Sequence, residues 1–332
     1  MGGFSRGVPQ PSGVSSVAMT MHKRLLPVLA LVLCAIVAAP AQANFKVGIA
    51  DQHGTMFDST NFQSLKIKRI RYLVPWDWYK HAAQKGEVDY FLNRAEQDGS
   101  EVLVHFTARR GCYNNGKYSK RKVCKAPSVA KYKYAFKRLR KEHPFVKTLG
   151  VWNEGNHSSQ PVARNPKRAA QYFLAARKLC RSCKLVAADV LDTKNMSSWI
   201  ASFKRYAKGK ARIWGLHNYG DVNRKRSTGT RAMLRIAPGE VWLTETGGIL
   251  QMSGQFKRSE SRQAKATKYM FKLVSKYDSR KAGMKGRVTR LYNYQFTGAP
   301  RSARFDAGLV NEDGSPRKAY NQFKKSAKKF AR

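Results

Sequence analysis

Short apolar runs alternate with longer amphipathic segments from residue 45 almost to the end of the chain. The apolar runs predict eight strands at Phe45–Asp51, Arg69–Trp76, Glu101–Ala108, Val146–Glu154, Lys184–Val190, Arg212–Asp221, Glu240–Gly247 and Val288–Thr297. Apolar residues spaced by three or four positions predict helices at Glu87–Gln97, Ser128–Lys141, Pro166–Cys180, Ser197–Tyr206, Ser259–Tyr277 and Tyr320–Phe330. The strands are almost continuously hydrophobic, which is typical of parallel strands buried on both faces. The pattern therefore predicts an α/β fold.

The number and spacing of these units favour a closed barrel over an open sheet. Eight β/α units over residues 44–332 average about 36 residues each, the size expected for a (β/α)8 TIM barrel. An open doubly wound sheet normally binds its ligand after an early strand, yet neither G-x-G-x-x-G nor G-x-x-x-x-G-K-[ST] follows any strand. We therefore predict one TIM-barrel catalytic domain over residues 44–332.

Residues 1–43 have the pattern of a secretory signal peptide. Basic residues at 22–24 precede an apolar stretch at 25–37, and small residues follow up to Ala43. Residues 1–20 lack this character, so Met19 or Met21 is an alternative start. The apolar stretch is short, and no later segment offers about 20 uninterrupted apolar residues for a membrane span. We expect a secreted, extracellular protein.

The composition is strongly basic. The chain has 64 Lys plus Arg against 20 Asp plus Glu, a formal net charge of +44, and only three of those basic residues precede residue 44. This excludes an acidic, calcium-buffering surface. Such a field attracts polyanions, so anionic cell-wall polymers are candidate partners. No recognition motif points to specific nucleic-acid binding.

Four cysteines follow the signal peptide. Because an even number in an exported protein favours disulfides, we predict the local pairs Cys112–Cys124 and Cys180–Cys183. A zinc site built from the same four residues is the alternative. We otherwise expect no metal and no cofactor.

Two glutamates stand where predicted strands 4 and 7 end. Glu154 ends Gly150–Glu154, and Glu245 lies 91 residues later in Trp242–Gly247. In a barrel this separation corresponds to about three β/α units, so the two side chains should face each other across the mouth. Hydrolysis of a glycosidic bond needs one carboxyl group to protonate the leaving oxygen and another to attack the sugar or activate water. The alternative is that each glutamate is simply paired with an arginine.

These motifs resemble the retaining glycoside hydrolases of clan A. The resemblance rests on Asn153-Glu154 after strand 4, Thr244-Glu245 in strand 7 and His217-Asn218-Tyr219 at strand 6. It implies a (β/α)8 barrel in which Glu154 is the general acid/base and Glu245 the nucleophile. It also implies that Asn153 binds the sugar 2-hydroxyl and that His217 and Tyr219 line the site.

The resemblance extends to further substrate-site residues. Arg71 matches a strand 2 arginine that pairs with the nucleophile, and His105 matches a histidine that contacts substrate. The tryptophan that commonly stacks on the sugar from strand 8 is absent, and Tyr294 is available instead. Trp152 is a further candidate for stacking on a sugar face.

Two functions remain open from the sequence. The first is a secreted retaining hydrolase that cleaves O-glycosidic bonds of a polysaccharide or glycoconjugate by double displacement. The second is a noncatalytic barrel that binds anionic cell-wall or other polyanionic polymers. A hydrolase requires both carboxylates in one cleft, whereas a polymer-binding barrel requires only the positive charge.

Overall fold

The computed structural model describes residues 45–114 and 116–329, and the predicted signal peptide lies outside them. The eight barrel strands are β1 (Lys46–Ala50), β2 (Arg69–Pro75), β3 (Glu101–Thr107), β4 (Thr148–Gly150), β5 (Lys184–Leu191), β6 (Ile213–His217), β7 (Gly239–Thr246) and β8 (Gly286–Tyr294). All pair in parallel, and β8 pairs with β1 to close the ring. The predicted TIM barrel is confirmed.

Helices connect the strands around the outside. They are α1 (Thr60–Ser64), α2 (Ala82–Gln97), α3 (Val129–Glu142), α4 (Pro166–Leu179), α5 (Met196–Tyr206), α6 (Tyr219–Asn223), α7 (Thr228–Ile236), α8 (Glu260–Tyr277) and α9 (Lys318–Ala327). Short 3-10 helices lie at Gly54–Asp58, Trp78–Lys80 and Lys122–Cys124. Two-residue strands pair Tyr113–Asn114 with Lys117–Tyr118 and Gln251–Met252 with Phe305–Asp306.

Local side chains explain several helix starts. Ser128 and Ser259 accept hydrogen bonds from backbone N–H groups in the first turns of α3 and α8. Asn165 does the same for α4, whose first residue is Pro166. Capping side chains satisfy N–H groups that have no partner within the helix, and proline is favoured at the first position.

The main differences from the sequence prediction follow β6. The predicted strand Arg212–Asp221 ends at His217, because the chain turns there into α6. Helix α7, which the sequence pattern did not predict, then precedes β7. The buried carboxylate of Asp221 accepts hydrogen bonds from the backbone of Gly229 and Thr230 at the start of α7. Asp221, which stood at the end of the predicted strand, thus lies in α6 and caps α7.

Glycines in two strands make room for polar side chains inside the barrel. A Cβ atom at Gly150 in β4 would lie 1.8 Å from the His105 ring, and one at Gly215 in β6 would lie 2.0 Å from Asp189. Below this polar layer, Leu103, Trp242 and Tyr292 belong to a small apolar cluster. The interior is therefore packed, with its polar layer toward the carboxyl ends of the strands.

Both predicted disulfides form. Cys112 pairs with Cys124 in the connection after β3, and Cys180 pairs with Cys183 after α4. The cysteines are therefore not zinc ligands. Among the described residues, no helix is both long and apolar enough to cross a membrane.

Candidate active site

The two glutamates predicted from the sequence meet at the mouth of the barrel. One carboxylate oxygen of Glu154, one of Glu245 and one ring nitrogen of His217 all lie within 4.8 Å of one another. Glu245 is nearly buried at the end of β7, whereas the Glu154 side chain retains 21% exposure. The more exposed carboxyl group can therefore exchange protons with water or substrate.

The backbone of Glu154 is strained. Its φ is +47°, in the left-handed region that non-glycine residues rarely occupy. Strain of this kind costs of order 1–3 kcal/mol and persists where the surrounding structure imposes it. Here the next residue is held by a hydrogen bond from Gly155 N–H to the Asp189 carbonyl. This conformation directs the chain out of β4 with Glu154 at the mouth.

Arg71 on β2 connects the polar residues inside the barrel. Its fully buried guanidinium donates to Glu245 Oε1 at 2.6 Å and to Asn153 Oδ1 at 2.6 Å. Burial opposes its charge, but Glu245 and Asp189 outweigh that effect and raise the pKa of Arg71. Because Arg71 donates to the Asn153 oxygen, it fixes the amide with its oxygen toward Arg71 and its NH2 donor on the other side.

Asp189 on β5 is a buried residue of this network that the sequence analysis missed. Its Oδ2 lies 3.2 Å from Arg71 Nη2 and 3.0 Å from His217 Nε2, and its Oδ1 accepts from the Thr244 hydroxyl. Burial opposes its ionisation, but His217, His105 and Arg71 hold the pKa of Asp189 far below its usual range. The available signal was an aspartate within an apolar strand, since a charge buried there must be paired.

His217 at the end of β6 lies between three carboxylates. Its Nδ1 is 3.3 Å from Glu154 and 3.5 Å from Glu245, while its Nε2 faces Asp189. Burial disfavours the imidazolium, but Asp189 and Glu245 outweigh it and raise the pKa of His217 to about 10. A protonated His217 donates from both nitrogens. It therefore fixes the orientation of Glu154 and compensates the charge of the buried Asp189.

His105 differs from His217 in its charge. It is fully buried below the mouth, and burial lowers the pKa of His105 to about 3. Its Nδ1 accepts a hydrogen bond from Arg71 Nε at 3.2 Å, so the neutral ring carries its proton on Nε2. The resemblance suggested a histidine that contacts substrate, but this one supports Arg71 from beneath.

Two tyrosines form one side of the site. The Tyr219 hydroxyl donates to Glu245 Oε2 at 3.4 Å. Burial and the adjacent Glu245 raise the pKa of Tyr219 well above its usual value, so the hydroxyl keeps its proton. Tyr294 lies nearby, with its ring stacked on Phe305.

Trp152 does not join this group. Its side chain is buried against Tyr172, and its Nε1 donates to Gln160 at 3.0 Å. The expectation that it stacks on a sugar face therefore does not fit its position in the core.

Two groups of described side chains have the composition of a metal site. One is Glu154, His217 and Glu245, where the raised pKa of His217 means that a metal would have to displace the ring proton. The other is Asp89, Glu142 and His143, and the ammonium of Lys85 pairs with both of its carboxylates. Neither group favours a metal.

Replacing Asp189 by asparagine should destabilise the fold strongly. The change leaves His217 and Arg71 buried with one fewer counter-charge, and breaking such a buried pair costs about 3–5 kcal/mol. Because the native pKa of Asp189 is depressed, its contribution is present throughout the neutral range and is lost only as strong acid protonates it. Urea unfolding near neutral pH measures the effect.

Asp58→Asn is the matched control for that experiment. Asp58 forms an exposed ion pair with Arg94, and because water and salt screen such pairs they add little to stability. Equal free energies of unfolding for the two variants would contradict the role assigned to Asp189.

Comparison with known proteins identifies the family. A family model described as the glycosyl hydrolase catalytic core matches residues 113–323, so the chain belongs to that family. No curated protein matches the sequence.

Solved structures of glycoside hydrolases share the fold at low sequence identity. A family 39 glycoside hydrolase from Bacteroides cellulosilyticus WH2 is 14% identical (TM-score 0.56), with 86% of this chain and 64% of that chain covered. The CBM22-1–GH10 modules of Clostridium thermocellum endo-1,4-beta-D-xylanase 10B, complexed with xylohexaose, are 16% identical (TM-score 0.61). The match covers 86% of this chain and 66% of that chain. GH5_18 from Streptomyces cattleya, in complex with GlcNAc, is 12% identical (TM-score 0.60). The match covers 87% of this chain and 81% of that chain.

The chain spans just under two thirds of the length of the first two of these structures. The recognition of a glycoside hydrolase family from the sequence is confirmed by the family model, and the solved structures confirm the (β/α)8 fold.

Proposed function

We propose that the protein is a secreted retaining glycoside hydrolase that cleaves O-glycosidic bonds by double displacement. The observation that carries this proposal is the approach of the Glu154 and Glu245 carboxylates to within 4.8 Å. A retaining pair is about 5–5.5 Å apart, whereas an inverting pair needs about 6.5–9.5 Å for an intervening water. The short separation supports direct attack by one carboxylate.

The surroundings of the two carboxyl groups support different roles. Glu245 is buried and receives hydrogen bonds from Arg71 and Tyr219, which hold it in one orientation as the nucleophile. The more exposed Glu154 gives its proton to the leaving oxygen and then takes one from water in the second step. Asn153 binds the sugar 2-hydroxyl through its NH2 group.

Export is supported by the sequence of residues 1–43 and by the two disulfides. Disulfides persist in oxidising compartments. Detection of the mature protein in culture medium, with an N-terminus near residue 44, tests this part of the proposal.

A substrate screen tests the function itself. The purified protein is incubated with neutral and anionic polysaccharides and with aryl glycosides, and the released sugars are analysed. Hydrolysis that disappears in the Glu245→Ala variant is the expected result. Binding to anionic polymers without hydrolysis of any substrate would favour the noncatalytic alternative.

The pH dependence should reveal how His217 acts on Glu154. Burial opposes ionisation of Glu154, but the hydrogen bond and charge of His217 outweigh it and lower the pKa of Glu154. A general acid must be protonated, so kcat/KM should fall as pH rises through this lowered pKa and the optimum should be acidic. His217→Asn removes the charge that lowers the pKa of Glu154, so the alkaline limb of the kcat/KM–pH profile should move to higher pH.

His143→Asn provides the control, because His143 is also buried but pairs with Asp89 on the outer helices. Its alkaline limb should match that of the wild-type protein. An unchanged limb in His217→Asn would contradict the coupling.

A further inference from the structure

A basic groove lies beside the candidate active site. It has a volume of about 680 Å³ and lies between the connection that follows β3 and the one that follows β4. Four cationic side chains line it, from Lys120, Lys125, Arg164 and Arg168. Its volume is within the range of ligand sites, about 300–1,000 Å³.

The charges in this groove are uncompensated. Within residues 45–114 and 116–329, no aspartate or glutamate lines the groove, and none of its four cations forms an ion pair. Elsewhere on the surface, cations pair with acids, as Arg110 does with Glu87. Several like charges facing one concavity repel each other, and an anionic ligand relieves that repulsion.

The groove is held in shape by covalent and hydrogen bonds. The Cys112–Cys124 disulfide closes the connection after β3, and the Tyr118 hydroxyl donates to the Cys124 carbonyl at 2.6 Å. On the opposite wall, Arg168 Nη1 donates to the Pro127 carbonyl at 2.9 Å. A preformed site loses less conformational entropy on binding.

A chain of contacts joins the groove to Glu154. The Glu154 carboxylate lies 3.8 Å from His157 Nδ1, and that nitrogen lies 2.8 Å from Ser159 Oγ. Ser159 Oγ accepts in turn from Gln160 Nε2 at 3.2 Å, and Gln160 lines the groove. The groove is therefore on the side of the mouth that carries the proposed general acid.

We propose that this groove binds carboxylate or sulfate groups of an anionic polysaccharide substrate, on the leaving-group side of the bond that is cleaved. The inference rests on the proposed function. A general acid must reach the glycosidic oxygen, so the sugar units beyond that oxygen lie on the side of Glu154. The four cations then recognise the charges of those units.

A second basic concavity offers a matched comparison. It is lined by Arg177, Arg181 and Lys184 among others, and Lys184 begins β5 at the end of the barrel opposite the mouth. An adjoining hollow includes Lys178 and Arg181, both exposed. Removing two charges here changes the net charge by as much as removing two from the groove beside Glu154, but it leaves that groove intact.

The experiment compares Lys125→Gln/Arg164→Gln with Lys178→Gln/Arg181→Gln. The probes are hexagalacturonate, a heparin-derived hexasaccharide, the neutral xylohexaose and a single-stranded DNA hexanucleotide. Calorimetric titrations are run at low salt and repeated at about 0.5 M salt, where screening weakens exposed charge interactions. We expect the wild-type protein to bind an anionic hexasaccharide more tightly than xylohexaose.

The Lys125→Gln/Arg164→Gln variant should bind the anionic hexasaccharide about tenfold more weakly than the wild-type protein does, as expected when charges that contact a ligand are lost. The Lys178→Gln/Arg181→Gln variant should lose less than about twofold, because its charges lie away from the groove. Hexagalacturonate carries carboxylates alone, whereas the heparin hexasaccharide carries sulfates in addition to carboxylates. Binding of the heparin probe alone therefore indicates that the groove requires sulfate, and binding of hexagalacturonate shows that carboxylates suffice. Equal losses in both variants, or equal binding of the neutral probe, would overturn the proposal. A loss confined to DNA would also overturn it and assign the groove to nucleic acid.

These outcomes are separable from the proposed function. Groove-dependent binding without hydrolysis of any screened substrate would contradict the hydrolase proposal alone. Hydrolysis of neutral polysaccharides, with no effect of the groove variant on binding, would contradict only the anionic-substrate inference.

Discussion

Glu245→Ala should reduce hydrolysis to the limit of detection. The change removes the proposed attacking atom and leaves Arg71 without the carboxylate that its Nη1 contacts at 2.6 Å. Removing a covalent nucleophile that acts together with its partners costs on the order of 10⁶-fold in kcat. Initial rates on any substrate from the screen, followed over long incubations, measure the loss.

Azide provides a second readout for the same variant. The alanine leaves space at the face from which Glu245 would attack, so a small anion there can displace the leaving group in one step. Glu154 still protonates the leaving oxygen, and the product is a glycosyl azide of inverted configuration. Because this requires a folded site, it separates loss of the nucleophile from loss of the fold.

Glu96→Ala is the control, since Glu96 is exposed on α2. Its rate should equal that of the wild-type protein. If Glu245→Ala kept a rate within about tenfold of the wild-type rate, the loss would be far smaller than removal of a nucleophile causes. That result would show that Glu245 has another role.

Glu154→Ala should have an effect that depends on the leaving group. General acid catalysis contributes about 10²–10⁴-fold, and it matters least when the leaving group needs little protonation. Natural glycosides should therefore lose most of their rate, whereas dinitrophenyl glycosides should still form the glycosyl-enzyme. Measuring kcat/KM across aryl glycosides of different phenol pKa tests this dependence.

Azide should act on this variant with the opposite stereochemistry. Here it attacks the glycosyl group already bound to Glu245, so the two displacements give a glycosyl azide of retained configuration. A uniform loss of rate across all leaving groups would contradict the acid/base assignment.

The barrel and its two facing glutamates were predictable because both follow from local patterns. Strands buried on both faces are continuous apolar runs, and the carboxyl ends of parallel strands meet at one end of the barrel. Glu154 and Glu245 therefore lie close together at the mouth of the barrel, as their positions at the strand ends predicted. The two disulfides were predictable because their cysteines are close in sequence.

The interior network was less predictable because it depends on contacts between distant strands. Asp189 looked like an isolated acid in an apolar run, yet it lies 3.2 Å from Arg71 and 3.0 Å from His217. The opposite charge states of His105 and His217 likewise depend on which carboxylates surround each ring. Trp152 looked suited to stacking on a sugar because of its strand position, but packing against Tyr172 places it in the core.

The configuration of the first sugar product is the most direct test of the proposed mechanism. Proton NMR can follow hydrolysis of a substrate from the screen and identify the anomer before mutarotation. Double displacement through Glu245 predicts that this first anomer has the configuration of the cleaved bond. An inverted first product would contradict the assignment of Glu245 as a covalent nucleophile, despite its short separation from Glu154.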